Sequence, residues 1–93
     1  MHIALLRAVL SIPEARSLKD KRRVLKSLKD RTLKRMNVSV AEVGQQDMWN
    51  RAELAFITVA AEKSVTEKRL AAILKLLESG GDWLLMEVKT ERL

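Results

Sequence analysis

Few residues in this chain have a type and spacing that could support catalysis. The one histidine, His2, lies at the start of the sequence, and there is no cysteine to act as a nucleophile or a zinc ligand. No phosphate-binding glycine loop and no metal-ligand spacing is present. Glu42 could pair with Glu53 or Glu87 across a sheet, but carboxylates on strands also discourage edge-to-edge aggregation. We therefore expect a protein that is not an enzyme and uses no metal or cofactor.

The most unusual stretch is basic. Residues 17–35 read SLKDKRRVLKSLKDRTLKR, and residues 16–35 hold ten of the eighteen basic residues but two of the twelve acidic ones. That segment carries a net charge of +8, and the rest of the chain carries −2, which gives the overall +6. A polyanion would be attracted to this one element. The alternative is that it is only the solvated face of an ordinary helix.

A helix is expected over this basic stretch. Ser17 is a favourable N-cap, with Asp20 three residues later. The apolar residues that recur at helical spacing are Leu18, Val24, Leu25, Leu28, Leu33 and Met36, with Lys21 and Thr32 inside their stripe. Asn37 suits a left-handed position that would close the helix. The opposite face is basic, and the candidate nucleic-acid-binding residues are Arg16, Lys19, Arg22, Arg23, Lys26 and Lys34. They would contact phosphates and read no base sequence.

The rest of the chain contains four strand-like runs and a second helix. The runs are residues 2–12, 38–43, 51–61 and 83–93, and the helix extends from a capping box at residues 64–67 to Gly80 and Gly81. The order β-α-β-β-α-β predicts one α+β domain of ferredoxin-like fold over residues 1–93. Its four-stranded antiparallel sheet would have strand order 4-1-3-2, with both helices on one face.

The other face of such a sheet is open. Alternation along the strands predicts that the outward residues are Ile3, Leu5, Arg7, Val9, Leu54, Phe56, Thr58, Trp83, Leu85, Glu87 and Lys89, although the two faces could be interchanged because both sets are apolar. An apolar open face favours a partner. The candidate partner-binding residues are Trp49, Leu5, Leu54, Phe56 and Leu85, and a homodimer or larger homo-oligomer is expected.

Two aromatic features bear on nucleic-acid binding. Trp49 lies in the loop between the second and third strands, where it could stack on a base, fill a partner's pocket, or fold back over the core. The RNA recognition motif needs aromatic residues on its first and third strands, and only Phe56 is available there. Base recognition on the sheet face is therefore not expected.

The segments SLKDKRRVLKSLKDR and NVSVAEVGQQDMWNRAELAF together resemble the YlxP-like family of small bacterial proteins. The most specific matches are Ser17-Leu18-Lys19 with Lys21-Arg22, the run 37–42, and Trp49 with Ala52. The resemblance implies a ferredoxin-like fold and no established catalytic residues. Because such proteins are often encoded beside translation-initiation and ribosome-maturation factors, it also implies RNA or the ribosome as partner.

Two functions from different classes follow from these observations. The first is a non-enzymatic, RNA- or ribosome-associated protein that binds phosphates through its basic helix. The second is a homo-oligomeric interaction module that works through its open sheet face. The apolar N-terminal run contains Arg7 and is too short to cross a membrane, so we expect a cytoplasmic protein.

Overall fold

A computed structural model describes all of residues 1–93 and has the predicted order of elements. They are β1 (His2–Ser11), α1 (Leu18–Arg35), β2 (Ser39–Gly44), β3 (Arg51–Ala60), α2 (Lys63–Ser79) and β4 (Leu84–Arg92). The strands pair antiparallel in the order β2-β3-β1-β4, which is the predicted 4-1-3-2 counted from the other edge. The ferredoxin-like α+β fold is therefore confirmed. Neither helix is long and apolar enough to cross a membrane.

Helix α1 begins as predicted and ends differently. Ser17 Oγ accepts a hydrogen bond from the Asp20 amide at 3.1 Å, and the Asp20 carboxylate accepts one from the Arg16 amide at 3.0 Å. The helix ends because Met36 is extended, while its N–H still donates to the Thr32 carbonyl. Asn37 has no positive φ, so the predicted left-handed closure is wrong.

Helix α2 ends as predicted and begins differently. Gly80 and Gly81 have positive φ angles of 71° and 113° and terminate the helix. The start is at Lys63, preceded by Glu62, which makes no side-chain cap. The predicted capping box is wrong because Ser64 lies inside the helix. The Glu67 carboxylate lies near Arg92 of β4, at 3.4 Å, instead of reaching back to an amide.

One core fills the space between the two helices and one face of the sheet. Strand β1 contributes every second residue, and the buried members of the core include Ala4, Leu6, Ala8, Leu10, Ala52, Leu54, Phe56, Leu25, Leu28, Ile73, Leu77 and Trp83. Both helices therefore cover the same sheet face, and the outward set predicted for β1 is confirmed.

The faces of β3 are the reverse of the first prediction. Leu54 and Phe56 are fully buried, so they belong to the core and cannot meet a partner. The reason is the register, which places Ala55 opposite Arg7. Directly opposite residues share a face, and the charged Arg7 keeps its face in water. The inverted alternative is the correct one for this strand, and Thr58 is also buried.

Trp83 was predicted to face outward and is instead buried just before β4 begins. Its indole N–H donates to the Leu77 carbonyl at 3.0 Å, so its polar atom is satisfied inside the core. The Arg31 guanidinium lies 5.3 Å from the centre of the ring, at the distance of a cation–π contact.

A bulge changes the faces along β4. Leu85 pairs with Leu10 and packs against the core, so its predicted outward position is wrong. Between that pair and the pair of Val9 with Glu87, β4 has one extra residue, Met86. The alternation shifts there, and Glu87 is on the open face as predicted.

Candidate nucleic-acid interface

The outward side of α1 presents the predicted basic residues to solvent. All six candidates, Arg16, Lys19, Arg22, Arg23, Lys26 and Lys34, are exposed. A shallow groove on this side is lined only by polar and charged residues, which are Arg23, Lys26, Ser27, Asp30, Arg31 and Lys34. The helix has 18 residues, so the basic surface extends along roughly 27 Å.

Few carboxylates neutralise this surface. Asp30 pairs with Lys26 at 3.0 Å, and both side chains are exposed, which makes the pair weak. Asp20 is occupied in capping the helix. The other five candidates, Arg16, Lys19, Arg22, Arg23 and Lys34, make no ion pair within the chain. Their charge is therefore available to an external anion.

The basic surface is not uniform along its length. Near the start of α1, Arg23 lines a cleft that also contains Glu14, Asp20 and Asp82. No comparable set of acidic residues lines the groove around Lys34. A polyanion would therefore meet the most favourable field towards the middle and C-terminal part of α1.

The inner side of the same helix contains a buried lysine. Lys21 is 1% exposed. Its ammonium group lies 2.9 Å from the Gln45 carbonyl, 2.6 Å from that of Met48 and 3.0 Å from that of Arg51. A lysine has three N–H donors, so these three carbonyls can use all of them. The Gln46 carbonyl is further away, at 3.5 Å.

Glu42 supplies the negative charge for this lysine. Its Oε2 lies 2.7 Å from the Lys21 ammonium. That oxygen has no aligned hydrogen bond, and it shares the three N–H groups of the ammonium with the three carbonyls. The contact is therefore an ion pair without an aligned donor. It compensates the charge of Lys21 within the protein, so Lys21 takes no part in the outward basic surface.

Lys21 fixes the loop between β2 and β3. Its carbonyl ligands lie on both sides of the turn, where Gln45 has a positive φ of 55°. The loop holds Trp49 in a position that leaves it 53% exposed, beside the exposed Met48. The alternative in which Trp49 folds back over the core is therefore wrong. Its binding to a base or a partner stays a prediction.

The sequence predicted a core position for Lys21 but not its partners. Lys21 and Thr32 fall inside the apolar stripe, and both are buried. A charged residue at such a position indicates a buried ion pair. The carbonyl oxygens that contact Lys21, however, belong to a loop 24 to 30 residues further along the chain, and helical periodicity does not identify them. Leu33 was assigned to the same stripe but is 53% exposed, because five residues after Leu28 the helix has turned by about 140° from it.

The open sheet face is partly apolar and partly charged. Leu5 is half-buried on this face. Arg7 pairs with Glu53, whose hydrogen bond and charge raise the pKa of Arg7 above its ordinary value. The Glu53 carboxylate lies over Gly44, where a Cβ atom would come within 2.5 Å of it. At one end the face forms an apolar cleft lined by Ile3, Val38, Ile57 and Val59, among others.

No group of three or more histidine, cysteine, aspartate or glutamate side chains comes together as a set of metal ligands. The acidic residues are instead used singly, as Asp20 is in capping α1 and Glu42 is in pairing with Lys21.

Two sequence comparisons place the chain among related proteins, and one structural comparison concerns the fold. Residues 3–90 match a family model described as "Protein of unknown function (DUF503)". The "Uncharacterized protein YlxP" of Bacillus subtilis (strain 168) is 40% identical over 68 residues, which cover 73% of this chain and 74% of that protein. The solved structure "De novo designed protein Foldit4" aligns with a TM-score of 0.58 and 14% identity over 100% of this chain and 97% of that one. At that identity the likeness concerns the fold alone.

Proposed function

The chain belongs to the DUF503 family, and from the surface of this member we propose that it is a non-enzymatic RNA-binding protein that contacts phosphates through α1. The observation that carries the proposal is the outward side of α1, where five of the six candidate basic residues make no ion pair within the chain. Like charges held together on a helix repel one another, and a polyanion relieves that repulsion. The resemblance to YlxP-like proteins favours RNA, including ribosomal RNA, as the anion.

On the open sheet face and on α1, the side chains available favour recognition of phosphates over bases. The one aromatic residue within the strands, Phe56, is buried, so the open face offers no ring for base stacking. The groove on α1 has no apolar lining residue. Lysine and arginine in such a groove bind phosphate oxygens, which are the same in every sequence. We therefore expect binding that depends on RNA shape and charge.

The proposal is tested by removing charge from the outward side of α1. Replacing Lys19, Arg23, Lys26 and Lys34 together with glutamine should weaken RNA binding equally for different sequences and leave the fold intact, because all four side chains are exposed. If about five phosphates are neutralised, the log–log salt slope of the unmodified protein should be roughly −3.5 to −4.5. Fluorescence anisotropy with a labelled structured RNA at several salt concentrations measures both quantities.

The matched control removes the same number of positive charges elsewhere. It replaces Arg51, Lys63, Lys68 and Lys75, which are all exposed, with glutamine. The two variants have the same net charge, so a difference between them reports the position of the charges. If both variants bind alike, or if the unmodified protein binds no RNA at low salt, the surface of α1 is only a solvated helix face.

A second candidate function is protein interaction through the open sheet face. It is favoured by exposed Ile57 and Val59, which line the apolar cleft with Ile3. Of the residues predicted for a partner, Leu5 lies on this face and Trp49 lies exposed on the loop. Apolar association depends little on salt, so a complex that survives at high salt and is lost on Ile57→Asp would favour this candidate.

A further inference from the structure

Strand β4 is an unpaired edge of the sheet. It has nine residues, and only one of its sides is paired, with β1. The Leu93 amide donates to the Ile3 carbonyl, so by alternation the N–H and C=O groups of Val88, Thr90 and Arg92 point away from the sheet. A free row of this kind can hydrogen-bond with another strand.

The helix-facing side of this edge is partly apolar and incompletely covered. Val88 lies opposite the buried Ala8 but is itself 37% exposed. Further along the strand, at Thr90 and Arg92, an open groove separates β4 from α2 and has Leu6 and Leu70 in its lining. The core therefore reaches the edge of the molecule at Val88 and stops there without a cover.

On the open-face side of the edge, Glu87 and Lys89 have no opposite charge directly across the strand pair. Glu87 lies opposite Val9, and Lys89 lies opposite Arg7. Neither Glu87 nor Lys89 makes an ion pair within the chain. Like charges directly opposite each other destabilise a strand pair. Lys89 therefore lacks a carboxylate, and Glu87 lacks a cation, at the cross-strand position where each would be most effective.

We propose that a second copy of this chain binds here, with the two β4 strands antiparallel about a two-fold axis at Val88. This register places Glu87 opposite the partner's Lys89, and the symmetry makes that pair twice. It also places Val88 against the partner's Val88, on the side where the core is uncovered. The partner is thus a copy of this chain because β4 is complementary in charge to itself.

The other symmetric registers fit less well. An axis at Glu87 or at Lys89 sets two like charges opposite each other. An axis at Thr90 pairs Lys89 with the partner's Glu91 but leaves Glu87 without an opposite charge. It also places Val88 opposite the partner's Arg92, and Arg92 already pairs with Glu67 in its own chain. With the axis at Val88, the bulge at Met86 falls outside the three central pairs, so it leaves them regular.

The dimer would have a continuous eight-stranded sheet with all four helices on one face. The two Val88 side chains would bury apolar surface against each other on the helix-facing side of this sheet. This arrangement covers the edge of β4 and leaves α1 free in both copies, so it is independent of RNA binding.

Charge reversal tests the register by sedimentation velocity up to about 100 µM protein. Lys89→Glu or Glu87→Lys alone creates two like-charge contacts and should raise the dimer dissociation constant about tenfold or more. The double variant Glu87→Lys/Lys89→Glu restores both contacts, so its constant should return close to that of the unmodified chain. Circular dichroism melting checks that each variant is folded.

An introduced cysteine gives a second readout, since the chain has no cysteine of its own. Val88→Cys should form a disulfide-linked dimer on mild oxidation, because paired residues on adjacent strands lie within disulfide distance. Val59→Cys, exposed on the open face, is the matched control and should not. A monomer at all concentrations, rescue of Lys89→Glu by Glu91→Lys, or loss of the dimer on Ile57→Asp alone would each overturn the proposal.

Discussion

The two sides of α1 use the same residue types for opposite purposes. On the inner side, the ammonium of Lys21 is enclosed by three loop carbonyls and Glu42. On the outer side, Lys26 is paired only with Asp30, and both side chains are exposed. A count of basic residues treats the two lysines alike. The comparison shows that the partners of a charge, and not its presence in the sequence, determine whether it serves the fold or is available to a ligand.

The largest expected effect is on the inner side. Lys21→Met removes the cation that pairs with Glu42 and the donors to three loop carbonyls, so it should lower the free energy of unfolding by about 3–5 kcal/mol. Urea unfolding followed by circular dichroism measures this loss. Lys26→Met on the outer side is the matched control and should change stability by less than about 0.5 kcal/mol.

A double variant separates the two causes of that loss. Lys21→Met/Glu42→Met removes the uncompensated carboxylate together with the lysine. Its loss of unfolding free energy should therefore be smaller than the sum of the losses of Lys21→Met and Glu42→Met measured alone. Equal stability of the Lys21→Met and Lys26→Met proteins would break the comparison, because the buried and exposed lysines would then be energetically equivalent.

A smaller effect is expected at Thr32, the other buried polar residue of the inner side. Its hydroxyl donates to the Leu28 carbonyl of the same helix at 2.9 Å. Thr32→Val keeps the shape of the side chain and leaves no charge without a partner. We therefore expect it to lower the free energy of unfolding by about 1 kcal/mol in the same urea experiment. A loss of unfolding free energy as large as that of Lys21→Met would show that burial of a polar group, and not its charge, determines how much the inner side of α1 contributes to stability.

The smallest effect on stability is expected at Asp30. Asp30→Asn removes the exposed pair with Lys26 and should lower the free energy of unfolding by only about 0.3–0.5 kcal/mol. The same change makes the outer side more positive, so RNA should bind more tightly at low salt, with the gain disappearing at high salt. Anisotropy titrations at two salt concentrations check this, and weaker RNA binding by the Asn variant would contradict it.

The fold was predictable because local signals agreed with one another. Ser17, Gly80 and the four β-rich runs bounded the elements, and their order left one common topology. The sequence did not predict which residues of β3 face the core, although Glu53 indicates the correct assignment. It has the same parity as Ala55 and Ile57, and a charged residue on that side marks it as the open face. For β4 the alternation is interrupted at Met86, and a bulge of that kind follows from tertiary pairing, which a single strand's pattern does not contain.

The candidate site was predictable to a similar extent. The exposed basic residues followed from helical periodicity alone. The position of Lys21 in the apolar stripe followed from it too, but the loop that satisfies Lys21 comes together only in the folded chain. Trp49 could not be placed for the same reason, since its exposure depends on how Lys21 holds the backbone of Met48.

The enclosure of Lys21 also makes its amine unreactive towards reagents in solution. An acylating reagent needs a free amine in contact with solvent, and the Lys21 side chain is 2% exposed while that of Lys26 is 79% exposed. Lys21 becomes reactive only while the loop between β2 and β3 has moved away from it. Its rate of modification, relative to that of Lys26, therefore measures how often this loop opens in the native protein, with one residue serving as the reporter and its neighbour on the helix as the reference.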